Sequence, residues 1–147
     1  MIEFGAGQRQ LEKLLDENCI YIPSDLVARG PNTIICDLNE PPLPDLRNCG
    51  AKIAVFGGVL EYVKDVSAVA RWLTEIGIEK CVASFDAAPA KPSFVGWTRE
   101  RLRRLYFGYM NNLTEAQFLQ CFESAGMICR EKHRWTTQLI YRFDKGV

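Results

Sequence analysis

Ile2-Glu3-Phe4-Gly5-Ala6-Gly7 opens the chain, and the fold turns on how these six residues are read. Apolar side chains on either side of an acid make a short strand, and two glycines one residue apart make a tight exit from it. Residues 8–17 follow, with Leu11, Leu14 and Leu15 at the i, i+3, i+4 spacing of one helical face. Strand, glycine turn and helix together are the start of an α/β unit. Outward from that point the alternation continues. Apolar runs at 19–22, 33–36 and 52–56 predict strands, closed respectively by Pro23, by Asp37 with the turn-rich stretch 39–44, and by Gly57-Gly58. Residues 66–76 set Val69, Trp72, Leu73 and Ile76 on one helical face ahead of Gly77, and 80–85 is a further strand. The stretch 87–96 is a loop rich in Pro, Gly and Ala. A helix over 114–125 has Thr114 or its neighbour as N-cap, Phe118, Leu119 and Phe122 inward, and Gly126 as its stop. Apolar runs at 127–129 and 138–143 flank a charged and aromatic connection.

Such alternation predicts a doubly wound, mostly parallel α/β sheet covered on both faces. The last two strands are joined too tightly for a crossover helix, so they pair as a C-terminal antiparallel hairpin. No repeat or linker divides residues 1–147, which read as one domain. A chain of 147 residues, 48% hydrophobic and with 18 basic against 18 acidic residues, is too apolar and too neutral for disorder. The same balance speaks against a dedicated nucleic-acid binder. No apolar run is long enough to span a membrane, and the first residues lack the character of a signal peptide. The six cysteines form no CxxC pair, and Cys36 and Cys81 lie within apolar runs, so reduced core thiols in a cytoplasmic protein are expected. With one histidine and no ligand spacing, no metal site is expected.

In doubly wound sheets ligands sit at the carboxyl ends of the strands. The first strand leads to Gly5-Ala6-Gly7. The second ends near Asp25, whose carboxylate could accept both hydroxyls of a ribose. The third ends in Asp37-Leu38-Asn39, a carboxylate for an exocyclic amine and an apolar cover for a purine. The fourth ends in Phe56-Gly57-Gly58-Val59-Leu60-Glu61-Tyr62, again open to close backbone approach. Each element alone is a common surface feature, and their order along four consecutive strands gives them weight.

As a set these residues resemble the class I S-adenosylmethionine-dependent methyltransferases. Ile2-Glu3-Phe4-Gly5-Ala6-Gly7 is similar to their first motif, Asp25-Leu26 to the second-strand acid, Cys36-Asp37-Leu38 to the adenine-contacting element, and Val59-Leu60-Glu61-Tyr62 to the element after the fourth strand. The resemblance implies a seven-stranded sheet and S-adenosylmethionine as cofactor. It places Gly5, Ala6 and Gly7 against the methionine moiety, with Glu3 orienting that loop or the amino group. It sets Asp25 and Leu26 at the ribose, Asp37 and Leu38 at the adenine, and Phe56 or Gly57 under the sulfonium. Three departures stand out: Arg9 occupies the usual third-glycine position, Lys52 replaces an acid, and the first strand starts at residue 1. The last implies an N-terminally clipped domain, and an apolar patch left uncovered there would favour a homodimer.

Methyl transfer asks mainly for alignment of donor and acceptor, with a base only where the acceptor must lose a proton. Glu61 and Tyr62, following the fourth strand, are the candidate catalytic residues, Glu61 as base or acceptor anchor or else as a cap of the following helix. His133 falls in the connection between the last strands, where it could serve as a general base near neutral pH but reads better as a solvated loop residue. Arg99, Arg101, Arg103 and Arg104, with Trp97, Tyr106 and Tyr109 nearby, could grip a phosphate or carboxylate or form a solvated face. Gly96, Gly108 and the proline-bearing loop suit a mobile lid. A methyltransferase acting on a small-molecule acceptor is the expected function. A methyltransferase-like binding or interaction module is the alternative. A nicotinamide-dependent oxidoreductase fits less well, because Gln10 stands where GxGxxG requires its last glycine.

Overall fold

In the computed structural model the described residues are 1–90, 94–136 and 138–146, apart from the side chains of Phe94, Val95 and Trp97. They form a seven-stranded sheet of order β3-β2-β1-β4-β5-β7-β6. The strands are β1 (Ile2–Phe4), β2 (Ile22–Asp25), β3 (Ile34–Ile35), β4 (Ile53–Phe56), β5 (Lys80–Phe85), β6 (Met127–Trp135) and β7 (Gln138–Lys145). The helices are α1 (Val66–Glu75), α2 (Phe94–Tyr106) and α3 (Glu115–Glu123). β1 pairs parallel with both β2 and β4, setting Ile2 beside Ile22 and Ala54, and Phe4 beside Ser24 and Phe56. β5 runs parallel to β4 and antiparallel to β7, and β7 pairs antiparallel with β6, as the tight terminal connection requires.

Alternation of side chains across the strands decides where the core sits. Ile2, Phe4, Ala54, Phe56, Cys81, Ala83, Phe85, Tyr141 and Phe143 share one face and are buried. Two helices that touch each other, α1 and α3, accompany that face: α3 packs its rings on β5 and β7, Phe118 on Phe85 at 4.1 Å and Phe122 on Phe143 at 4.0 Å. The opposite face, with Glu3, Val55, Val82 and Ile140, is only half-buried. Asp65 caps α1 by accepting from the Ala68 amide at 2.9 Å, and Gly77 ends it at φ +87°. Thr114 and Gln117 form a reciprocal capping box at the start of α3.

The expected helix over 8–17 does not form. Only a 3₁₀ turn, Glu12–Leu14, appears there, and Leu14 is 82% exposed. A ten-residue helix is marginal unless it buries its whole stripe, and here Leu14 stays exposed while Leu11 and Leu15 are only half-buried. Arg9 sits at φ +54°, so it holds the left-handed backbone that the missing third glycine would hold. Its guanidinium donates to Thr33 Oγ1 at 2.8 Å and to the Pro31 carbonyl, fastening the β1–β2 loop to the β2–β3 loop.

β2 spans Ile22–Asp25, sharing only Ile22 with the apolar run expected at 19–22 and running past Pro23 to the expected end at Asp25. A parallel strand does not need every amide on every side, and Pro23 sits opposite Glu3 without breaking the pairing. β6 extends through residues 130–135, expected as a connection, because pairing with β7 satisfies its backbone without burial. His133 is therefore a strand residue, exposed, with Nε2 3.6 Å from Glu131. Residues 94–96, expected as loop, begin α2, so Gly96 is helical. Lys91, Pro92 and Ser93 of the expected lid, and the Trp97 side chain, lie outside the described residues. No described helix is long and apolar enough to cross a membrane.

Candidate functional site

The carboxyl ends of β1, β2 and β4 and the segment after β3 open onto one cleft of about 330 Å³. Of the residues picked out in the sequence, Gly5, Gly7, Asp25, Leu26, Asp37, Leu38, Gly57 and Tyr62 line it. Asp25 is 92% covered: its Oδ2 accepts from the Gly7 amide at 2.8 Å, and its Oδ1 lies 3.6 Å from Arg29 Nε. The β2 acid thus orients the glycine loop, the task expected of Glu3. Glu3 lies on the other face of the sheet, where it accepts the Tyr21 hydroxyl, and burial raises its carboxyl above the ordinary value. Asp37 Oδ1 accepts from the Asn39 amide at 2.8 Å.

Ala6 and Phe56 do not line the cleft. The Ala6 amide donates to the Ser24 carbonyl at 2.9 Å, and Phe56 is a core ring stacked on Phe4 at 4.9 Å. Asn39 was quoted in the sequence without a role. It donates to the Tyr62 carbonyl at 2.9 Å and accepts from the Lys64 amide at 2.8 Å, tying the β3 wall to the β4 wall. Arg29, Cys36, Gly58, Val59 and Val63 also line the cleft. Gly58 was legible as a second glycine at a strand end, whereas no local pattern marks Arg29 or Val63.

Two glycines on opposite walls have different reasons to be glycine. A Cβ at Gly5, at φ +68°, would collide with Val59 Cγ2, so the fold itself demands glycine there. A Cβ at Gly57 would meet nothing within 4 Å, and Gly57 is one of the residues that line the cleft. Neither a neighbouring atom nor a left-handed backbone forces residue 57 to be glycine. A ligand approaching the backbone would.

Glu61 is not on the cleft. It is 1% exposed, its Oε1 accepts from the Asp86 amide at 2.9 Å, and burial raises its carboxyl above the ordinary value. It therefore holds the end of β5 in place and cannot touch an acceptor, which corrects the catalytic role expected of it. Arg104 is also buried, donating to the Asp86 carbonyl at 2.9 Å, Asn112 Oδ1 at 3.1 Å and the Asn111 carbonyl at 3.2 Å. Arg103 donates to Asp86 Oδ2 at 2.9 Å and to Glu100 Oε1 at 2.6 Å. Asn111 Nδ2 donates to the Leu60 and Val63 carbonyls at 2.7 and 2.8 Å, which clamps the segment after α2 onto the rim of the cleft. Half of the basic run is thus consumed inside the protein.

By sequence, no family model and no curated protein matches this chain. By structure, many do. The S-adenosylmethionine-dependent methyltransferase of Mesorhizobium loti superposes with a TM-score of 0.72 at 16% identity, covering 98% of this chain and 90% of its own. The magnesium protoporphyrin IX methyltransferase of Synechocystis, with bound S-adenosylhomocysteine, gives 0.62 at 16% identity over 99% and 73%. A pericyclic reaction enzyme gives 0.62 at 14% identity, and this chain spans only 42% of its length. The fold is that of the class I S-adenosylmethionine-dependent methyltransferases. At such identities the likeness defines the architecture and leaves the reaction to the site.

Proposed function

We propose that the chain binds S-adenosylmethionine and transfers its methyl group to a small-molecule acceptor. The observation that carries this is the convergence of the Asp25 and Asp37 carboxylates with Gly57 on one cleft, where the glycine leaves open the space its Cβ would fill. Structural neighbours that use or hold this cofactor family add support. Asp25 would take the ribose hydroxyls, Asp37 the adenine amine and Leu38 the purine face. Gly5 and Gly7, oriented by Asp25, would bound the methionine end, and Gly57 would underlie the sulfonium. When bound, the cofactor supplies a methyl group on a sulfonium: the sulfur–carbon bond breaks with its electron pair staying on sulfur, an acceptor lone pair forms the new bond, and any acceptor proton leaves to water. Tyr62 lines the donor cleft on the β4 side, where the acceptor must enter. Glu61 acts as a positioning residue for that rim.

Isothermal titration with S-adenosylmethionine and S-adenosylhomocysteine tests the proposal. Micromolar binding is expected, and Asp25→Ala and Asp37→Ala should each weaken it about tenfold or more, as loss of hydrogen bonds to a charged acceptor implies. Absence of binding to a folded sample would sink it.

A further inference from the structure

Beside the donor cleft lies a strip of aromatic side chains that the cofactor-binding residues leave unused. Tyr62 begins it, since it lines the cleft and meets Tyr109 edge-on at 5.4 Å. Tyr109 stacks on Phe107 at 6.0 Å, and Phe107 meets Tyr106 edge-on at 5.5 Å. Met110 anchors the strip to the cleft a second time, its sulfur 3.7 Å from Nδ2 of Asn39, itself a cleft residue. Tyr106 is 86% exposed, Phe107 50% and Met110 53%. A surface this apolar, running unbroken into a ligand cleft, is a binding surface rather than a scatter of exposed rings.

The charges beside the strip are paired within the protein, with Arg104 buried and Arg103 37% exposed. The Arg103 guanidinium lies 5.9 Å from the Phe107 ring centre and that of Arg104 4.9 Å from the Tyr109 ring centre, so both rings are supported from behind. Arg103 is held by Asp86 and Glu100, and Arg104, with 3% of its side chain exposed, by Asp86, Asn111 and Asn112. Glu61 is covered, and Asp86 already accepts from Arg103 and from the Tyr109 hydroxyl at 3.2 Å. Arg99 and Arg101, both exposed, lie on either side of the middle of α2. Among the described residues, a ligand on the strip therefore meets ring faces and a thioether, and the Arg103 and Arg104 guanidinium groups beside them are already engaged by acceptors of the protein.

We infer that Tyr62, Tyr109, Phe107, Tyr106 and Met110 form the acceptor site, and that the acceptor is a flat, uncharged aromatic small molecule bearing the hydroxyl or amine that receives the methyl group. This rests on the donor reading above. Transfer follows the same exchange of bonds, with the acceptor's own oxygen or nitrogen supplying the electron pair and its proton leaving to water.

Saturation-transfer NMR on the full chain, with and without S-adenosylhomocysteine, tests it using 1-naphthol, 1-naphthoate and cyclohexylmethanol as probes. The expected result is binding of 1-naphthol, with the charged and the non-aromatic probes about tenfold weaker. Tyr106→Ala and Phe107→Ala should each weaken 1-naphthol about tenfold while melting and S-adenosylhomocysteine affinity stay unchanged. If S-adenosylhomocysteine binds but 1-naphthol does not, or if 1-naphthoate binds as well, the acceptor assignment falls and the donor reading stands. If S-adenosylhomocysteine does not bind, both fall. Light scattering that shows a dimer broken by Tyr106→Ala would give the strip to a second copy of the chain and overturn the assignment.

Discussion

Residues 1–50 and residues 51–146 hold their structure by different means. The first part has no α-helix among its described residues, and its longest strand, β2, has four residues. Its loops are kept in place by hydrogen bonds that converge on a few side chains: Asp25 on the Gly7 amide, Arg9 on Pro31 and Thr33, Asn39 on Tyr62 and Lys64. The second part carries α1, α2, α3 and the long hairpin, and it is held by rings, with Phe118 in contact with Phe85, Phe122, Tyr141 and Phe143. The cleft draws most of its lining from the part with the least packing. Such a segment opens locally at lower cost than the core, and a ligand that bridges its loops would order it.

The contrast can be broken first at the core. Phe118→Ala should lose about 3–5 kcal/mol, the usual cost of removing a fully buried ring. Urea unfolding measures this, and donor affinity of the folded fraction should not change. A loss below 1 kcal/mol would mean that the aromatic cluster does not anchor the fold.

Next come the paired glycines, which separate a demand of the fold from a demand of the ligand. Gly5→Ala should destabilise by about 1–3 kcal/mol, because its Cβ strikes Val59 in a left-handed backbone. Gly57→Ala should leave the melting temperature unchanged while donor affinity falls about tenfold. Equal melting losses at both positions would contradict the distinction.

A smaller effect is expected at the entry to α3. Thr114→Ala removes the capping box and should cost about 1 kcal/mol without altering the cleft. Thermal unfolding beside a donor titration checks both halves of that statement. Equal loss in the two measurements would show that the parts are coupled more tightly than their contacts suggest.

The smallest effect concerns pH. Burial raises the Glu61 carboxyl above 4.5, so just above that pH the folded chain keeps a proton that the unfolded chain releases. Its contribution to stability is complete below pH 4.5 and is lost as pH rises through the raised value. Glu61→Gln should flatten the fall in urea midpoint over that window, while Glu3, shifted in the same direction, contributes equally to both proteins. An unchanged slope would show that Glu61 is ionised throughout.

Local pattern was enough wherever one element buries its own stripe or ends on its own signal. β5 spans Lys80–Phe85 as its apolar alternation requires, and α1 and α3 keep their expected inward residues and caps. The acids at the ends of β2 and after β3 were legible for the same reason, since a strand end and the residue on it are close in sequence. Pattern was not enough where a partner far along the chain decides. The leucines of residues 8–17 have helical spacing but bury it only in part, and the charged residues 130–135 form a strand because β7 supplies the other half of the ladder. Glu61 and the basic run of α2 carry the types expected of a site, but only the tertiary structure shows that Glu61, Arg103 and Arg104 each bond to Asp86, across gaps of up to 25 residues, turning two candidate catalytic or anion-binding groups into supports. By itself the sequence determined which strands exist, their order of appearance and the chemistry at their ends, because propensity, periodicity and capping act over a few residues. The tertiary structure alone decided which of those end groups share a cleft, which are buried beneath it and which rings stand beside it, because burial and long-range hydrogen bonds depend on chain segments brought together only by folding.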